Sequence, residues 1–287
     1  MKRRMRKEIN IYALKKKANW VRNKVLDMGI KAGAAHLAPA FSCTDILVAL
    51  YHGGILRFNP KNPKWKSRDR FILSKGQAAI ALYAVLADLK FFPVSELNSF
   101  TRAGSRLGGH AENTVPGVEA FTGSLGNGLS IAAGLALAAK IDNKDYATLA
   151  LLGDGECQEG SIWEAAMLAS HHKLGNLTAI IDNNGLSAID FIDKYINLDP
   201  LADKWRAFGW DVKIVDGHAF KEIIPALKDV RSRKSGKPLA IIAKTVKGRG
   251  VSFMENNPIW HYRIPVGKEI KSAKKELLFK YNQEGQR

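Results

Sequence analysis

Short apolar runs that stop at glycine or at a knot of polar residues recur along the chain and set its architecture. Tyr146 to Leu152 is largely apolar and ends at Gly153, and Leu177 to Ile181 ends in Asp182-Asn183-Asn184-Gly185. Runs this short, with no polar alternation, suit strands covered on both faces of a parallel sheet. Between them, Glu159 to His172 places Ile162, Ala165, Ala166 and Ala169 at helical spacing among good helix formers. The same reading predicts strands at 70–74, 146–152, 177–182, 210–215 and 239–244, and helices at 77–89, 129–139, 159–172, 199–207 and 219–233. Strands alternating with helices imply an α/β fold with a doubly wound parallel sheet. At 287 residues, without repeats or low-complexity tracts, one large domain is expected.

The two ends differ from the middle. Ile9, Tyr12, Ala13, Val21, Val25 and Met28 recur at helical spacing among charges, so residues 1–31 read as a basic amphipathic helix region. Residues 32–265 hold the α/β domain, and 266–287 read as a basic, polar tail. The formal net charge of +17 raises nucleic acid or membrane binding as candidate functions. Its distribution argues against both. Residues 1–31 carry 11 Lys and Arg against 2 acids, and residues 263–287 carry 7 against 3, so the ends supply +9 and +4 and leave +4 for the middle. No run approaches the ~20 apolar residues of a membrane span, and the first residues lack a signal-peptide core. A soluble, cytoplasmic protein is expected. Cys43 and Cys157 lack paired-ligand spacing and read as free thiols of a reducing compartment.

Gly153-Asp154-Gly155 stands where a strand turns into a helix, and Asp182-Asn183-Asn184-Gly185-Leu186 stands at the end of the next strand. Both loops therefore leave one edge of the sheet, where ligands of open α/β folds bind and where helix N-termini favour anions. Mg²⁺ takes oxygen ligands in near-octahedral geometry and is commonly shared between one or two carboxylates and a substrate's phosphates. Asp154 and Asn184 suit that role, with Ca²⁺ or Mn²⁺ as substitutes. Gly-Asp-Gly alone is a common turn. The spacing from Gly-Asp-Gly to Asn-Asn, however, resembles the signature of thiamine diphosphate enzymes, and that resemblance adds the backbone carbonyl of Leu186 as a third metal ligand.

The flanking segments resemble transketolase over roughly residues 20 to 265. They are Ala35-His36-Leu37-Ala38-Pro39, Arg68 to Gly76, Gly108-Gly109-His110-Ala111-Glu112, Thr122 to Gly128, Glu159-Gly160 and Leu174 to Leu177. Thr245 to Asn257 and His261 match the form seen in split transketolases. The resemblance implies the thiamine diphosphate-binding fold, with Gly153, Gly155, Glu159 and Asn184 at the cofactor. Gly123, Ser124 and Leu125 belong to a loop whose backbone is expected against the thiazolium and diphosphate. His36 alone would read as a core or capping histidine; the resemblance turns it toward substrate. His110 is implied at the donor ketose hydroxyls and His261 near the diphosphate and the reacting carbonyl, work that suits imidazole. Gln77 departs from the pattern, since the family usually has histidine there. Its amide can donate to a phosphate oxygen but cannot carry a proton or a charge.

After His261 about two dozen residues remain, too few for the family's pyrimidine-binding domain. The resemblance is to the N-terminal subunit of a split transketolase, which implies self-association and a complementary C-terminal subunit, together forming a heterotetramer. The implied reaction moves a two-carbon ketol unit from a ketose to an aldose, both sugars or sugar phosphates, with the covalent chemistry belonging to the cofactor. Two alternatives are a cofactor-binding or regulatory subunit without turnover, and another thiamine diphosphate enzyme such as a deoxyxylulose phosphate synthase or a 2-oxo acid dehydrogenase alpha subunit.

Overall fold

The computed structural model describes residues 9–231, 233 and 235–283. Five strands, β1 (Arg70–Leu73), β2 (Thr148–Gly153), β3 (Leu177–Asn183), β4 (Asp211–Asp216) and β5 (Leu239–Lys244), form one sheet in the order β1-β2-β3-β5-β4. All neighbours run parallel. The inner strands β2, β3 and β5 are buried along almost their whole length, which is why their sequences read as unbroken apolar runs. Strand β4 lies at an edge and leaves Ile214 54% exposed.

The helices are α1 (Ile11–Ala32), α2 (Leu37–His52), α3 (Ala79–Asp88), α4 (Asn127–Ile141), α5 (Gly160–His171), α6 (Leu201–Ala207), α7 (Phe220–Lys228) and α8 (Lys268–Gln283). They cover both faces of the sheet and divide the core in two. One cluster packs Leu47, Ile80 and Leu227 against Leu149 and Ile241; the other packs Ala133, Ala166 and Trp205 against Ala150 and Ile242. Helix α2 is largely apolar and is buried from Leu37 to Tyr51, with its polar side chains Ser42, Thr44 and Asp45 partnered inside. The predicted strands and the helices between them are present, with ends shifted by a few residues.

Two terminal expectations change. Helix α1 is capped by Asn10, whose side chain accepts from the Ala13 amide, and ends at Gly33 in the left-handed conformation with φ of 75°. It turns Leu14, Ala18, Val21, Val25 and Met28 inward, while Tyr12 and Ala13 face outward. The inward set follows the i, i+4, i+7 rhythm; the two outward residues fall between its rows. The first eight residues of the basic region lie outside the described residues. The expected polar tail carries helix α8, which buries Ala273 and Leu277 and seats the Leu277 carbonyl on Asn19 Nδ2 at 2.7 Å. The stripe that is seen to be buried, Ala273 and Leu277, is too narrow among the lysines to stand out in the sequence. Residues 284–287 of that tail are likewise outside the described residues. Among the described residues, no helix is long and apolar enough to cross a membrane.

Candidate active site

The carboxyl ends of β1, β2, β3 and β5 open into a single cavity of about 330 Å³. The segments that line it come from widely separated parts of the chain, and buried polar side chains hold them in place. Glu156, 2% exposed, accepts from the Ser74 hydroxyl after β1, from the Gly126 amide at 3.0 Å and from the Gly153 amide at 3.0 Å. Burial pushes its carboxyl above the usual range, against the pull of those donors. Gly126 is obligatory in this arrangement. Its φ is 88°, and a Cβ there would come within 2.4 Å of Ser161 Oγ.

A second buried hub lies under the cavity floor. Asp182 is sealed from water and meets the Lys75 ammonium, the Ser42 hydroxyl at 2.6 Å and the Thr245 hydroxyl. Lys75 also donates to the Pro39 carbonyl at 3.1 Å. Burial alone would lower the Lys75 pKa, but the Asp182 carboxylate more than reverses this and raises it.

Asp154 stands at the tip of the β2 turn, 2% exposed. One oxygen accepts from the Gly155 amide at 2.9 Å, and the other from the Gly185 amide at 2.5 Å and from Asn183 Nδ2 at 3.0 Å. Burial raises its pKa, and the nearby Asp182 charge adds to the effect. Among the described residues no cation forms an ion pair with it. Asn184 lies beside it, with Oδ1 accepting from the Leu186 amide at 3.1 Å. Asp154 is a buried carboxylate without an ion-pair partner among the described residues, and Asn184 and Leu186 line the same cavity, so that an amide oxygen and a backbone carbonyl could join it as the hard-oxygen donors a divalent cation takes.

Three histidines converge across the cavity. His36 is the N-cap of α2, His110 follows the Gly108-Gly109 loop, and His261 follows a helical turn anchored by buried Trp260. The His36 ring centroid lies 5.8 Å from that of His110, 5.2 Å from that of His261 and 4.5 Å from that of Tyr262. The Ala111–Thr122 bridge draws the His110 loop toward Gly123, where an added Cβ would lie 3.2 Å from the His110 ring. Burial, with help from His110, lowers His36 to about 4; burial, with help from Lys247, lowers His261 to about 3. Both rings are neutral at pH 7.

Of the residues singled out by sequence, Gln77, Gly123, Leu125, Gly153, Gly155, Glu159 and Leu186 line the same cavity as Asp154, Asn184 and the three histidines. Ser124 is exposed and does not line it. Sequence reasoning missed two lysines. Lys75 and Lys247 both line the cavity, although they are only 2% and 1% exposed. Each stands beside glycine just beyond an apolar strand, but nearby cations such as Arg70 and Lys244 make both look like ordinary surface lysines in the sequence. Lys247 donates to the Ser187 carbonyl at 2.5 Å and contacts His261 Nδ1 at 2.8 Å. Burial, reinforced by Lys75, lowers its pKa to about 8 against the opposing pull of Asp154 and Asp182. His218, read as surface or structural, is structural: it joins Asp45 at 2.7 Å to the Val246 amide at 2.9 Å.

The family described as the thiamine diphosphate binding domain of transketolase matches residues 13–285, nearly the whole chain. The chain belongs to the transketolase family. It is 41% identical over 256 residues to one of the separate subunits of the apulose-4-phosphate transketolase of Phocaeicola vulgatus, covering 89% of this chain and 90% of that one. A 6-deoxy-6-sulfo-D-fructose transketolase subunit of a Clostridium species is 39% identical over 265 residues, covering 92% and 96%. Human transketolase is 39% identical over 252 residues, but the chain spans only 40% of its length. Among solved structures, transketolase from Campylobacter jejuni superposes with a TM-score of 0.88 at 35% identity, over 95% of this chain and 44% of that one. End-to-end agreement with separate subunits, and agreement with less than half of the longer transketolases, identifies an N-terminal subunit of a split transketolase. A regulatory module or a different thiamine diphosphate enzyme is not favoured.

Proposed function

We propose that this transketolase subunit holds the diphosphate of thiamine diphosphate through a divalent cation and, joined to its complementary subunit, transfers a two-carbon ketol unit from a ketose to an aldose. The observation that carries the reading is Asp154, a buried carboxylate that has no ion-pair partner among the described residues and lines the cavity that three histidines share. Asp154, Asn184 Oδ1 and the Leu186 carbonyl supply the oxygens for Mg²⁺, with Ca²⁺ or Mn²⁺ as substitutes. Lys247 adds a cation to the cavity wall, whereas the charge of Lys75 is met by Asp182, and Gln77 offers an amide donor to a phosphate oxygen.

When bound, thiamine diphosphate supplies the carbon nucleophile and the electron sink for cleaving and forming carbon–carbon bonds. The chain's own residues bind, orient and exclude water. His36 and His261, neutral at pH 7, hydrogen-bond sugar oxygens without a fixed charge, and His110 meets the donor's hydroxyls from the outer wall. The substrates are open-chain sugars or sugar phosphates. Ile189 lines the cavity yet is 81% exposed, and Tyr262 beside His36 is 54% exposed, which supports closure by another chain. Two copies of each subunit would form a heterotetramer.

Mixing the two purified chains with Mg²⁺, thiamine diphosphate, a donor ketose and an acceptor aldose should yield two-carbon transfer, with neither chain active alone. Robust transfer by this chain by itself would overturn the split-site reading, and His110→Ala should impair turnover more than assembly.

A further inference from the structure

We infer that Tyr83, a core residue of α3 that does not itself line the cavity, is the positioning residue for His110: its hydroxyl clamps the backbone on both sides of Ala111 and so sets where the ring stands. The role in turnover rests on the ketol-transfer reading above; the clamp itself does not.

His110 has little else to hold it. Its ring is exposed and makes no hydrogen bond among the described residues. The chain reaches it through Gly108 and Gly109, and a Cβ added at Gly109 would meet nothing closer than Thr101 Cγ2 at 3.9 Å, so sterics leave that approach loose. The His36 ring and the Gly123 backbone pack against the imidazole without bonding it. On the far side, the Thr122 amide donates to the Ala111 carbonyl at 3.1 Å. In extended backbone, the carbonyl of the residue before and the amide of the residue after point the opposite way. Those two groups belong to His110 and Glu112, and both meet the same phenol.

Tyr83 fits this task atom by atom. A carbonyl can only accept and an amide can only donate, so each bond has one direction: the hydroxyl donates to the His110 carbonyl at 2.6 Å and accepts from the Glu112 amide at 3.2 Å. One hydroxyl thus stands in for a neighbouring strand. Tyr83 is sealed in the core, with its ring edge-on to Phe100 at a centroid distance of 6.4 Å, so the oxygen cannot swing out of place. Burial raises the pKa of the phenol, which therefore keeps the proton it donates. Helix α3 serves the cavity twice: the turn ahead of it presents Gln77, and its second turn holds His110.

The test compares Tyr83→Phe with Tyr146→Phe, which deletes another phenol hydroxyl, the donor to the Leu135 carbonyl at 3.1 Å, away from the cavity. Amide exchange of the full chain reads the clamp directly. The Glu112 amide should exchange slowly in the native chain and in Tyr146→Phe, and at least about tenfold faster in Tyr83→Phe. In the assembled complex, Tyr83→Phe should lower kcat/KM for the donor ketose by about 10- to 100-fold and leave the affinity for thiamine diphosphate unchanged. Tyr146→Phe should leave both as they are in the native complex. An unaltered Glu112 rate in folded Tyr83→Phe would refute the clamp, and donor kinetics no worse than those of Tyr146→Phe would refute its positioning role. If Tyr83→Phe does not fold, the native chain still decides: a protected Glu112 amide supports the clamp and a freely exchanging one overturns it. A Glu112 amide released by Tyr83→Phe, in a protein whose native complex shows no ketol transfer, would sink the functional reading and leave the clamp standing.

Discussion

The Lys75 ammonium and the Asp182 carboxylate, from the ends of β1 and β3, form an ion pair that is 2% and 0% exposed beneath the cavity floor. Removing one partner strands the other charge in a low-dielectric setting, which typically costs about 3–5 kcal/mol. Lys75→Met should therefore lower stability by that order in thermal or urea denaturation. The double variant Lys75→Met, Asp182→Asn should recover a good part of the loss. Equal stability of the single and double variants would mean that the pair is not coupled in the folded chain.

Asp154 has no ion-pair partner among the described residues, but both its oxygens accept N–H donors, so the NH₂ of Asp154→Asn must face one of them and stability should fall by roughly 1–3 kcal/mol. Cofactor binding by the assembled complex in Mg²⁺ should fall by more than the roughly 10–100-fold that loss of an outer-shell partner costs a metal site. Calorimetry with thiamine diphosphate and Mg²⁺ reads both quantities. Unaltered affinity would remove Asp154 from the clamp.

The pH dependence follows from His36 and His261. Their folded values, about 4 and about 3, lie below the ordinary 6.5, so the unfolded chain binds more protons as the pH falls through that interval. Above pH 6.5 both states are neutral and the rings cost nothing. As the pH falls from 6.5 toward 4 and then 3, stability is lost. His36→Asn and His261→Asn should each flatten this acid-side slope in urea denaturation at stepped pH, and slopes identical to wild type would refute the burial effect.

Gln77 faces the cavity from the turn after β1, where it has a neutral donor. Gln77→Ala leaves a phosphate oxygen without that donor and should weaken cofactor binding by roughly 1–3 kcal/mol. Gln77→His should match or exceed the native chain. Identical affinity in all three would place Gln77 away from the diphosphate.

Much of the fold and of the cavity is legible in the sequence alone. The buried strands β2, β3 and β5 announce themselves as apolar runs because both their faces are covered, and Gly153-Asp154-Gly155 and Asn184 announce the loops because a tight turn at a strand end restricts which residues can stand there. The lysines are harder to read. Lys75 and Lys247 look like surface residues until the fold shows carboxylates and carbonyls around them, and those partners, Asp182 for one and Ser187 for the other, lie 107 and 60 positions away. Helix α8 is hidden for a related reason: it contributes only a narrow apolar stripe, which acquires meaning once α1 is there to receive it. Tyr262 carries no recognisable spacing at all, and its contact with His36 exists only in three dimensions.

The staple made by Glu156 has a consequence for how the protein is made. It joins a hydroxyl 82 positions back to an amide 30 positions back, and the cavity above it takes His36 from near one end of the chain and His261 from near the other. Residues 36 to 261 must therefore all have left the ribosome before this cavity is complete, and until then the strands have to find one another without the finished site to guide them. Cofactor capture is accordingly a late event, able to lock a finished fold but unable to template it.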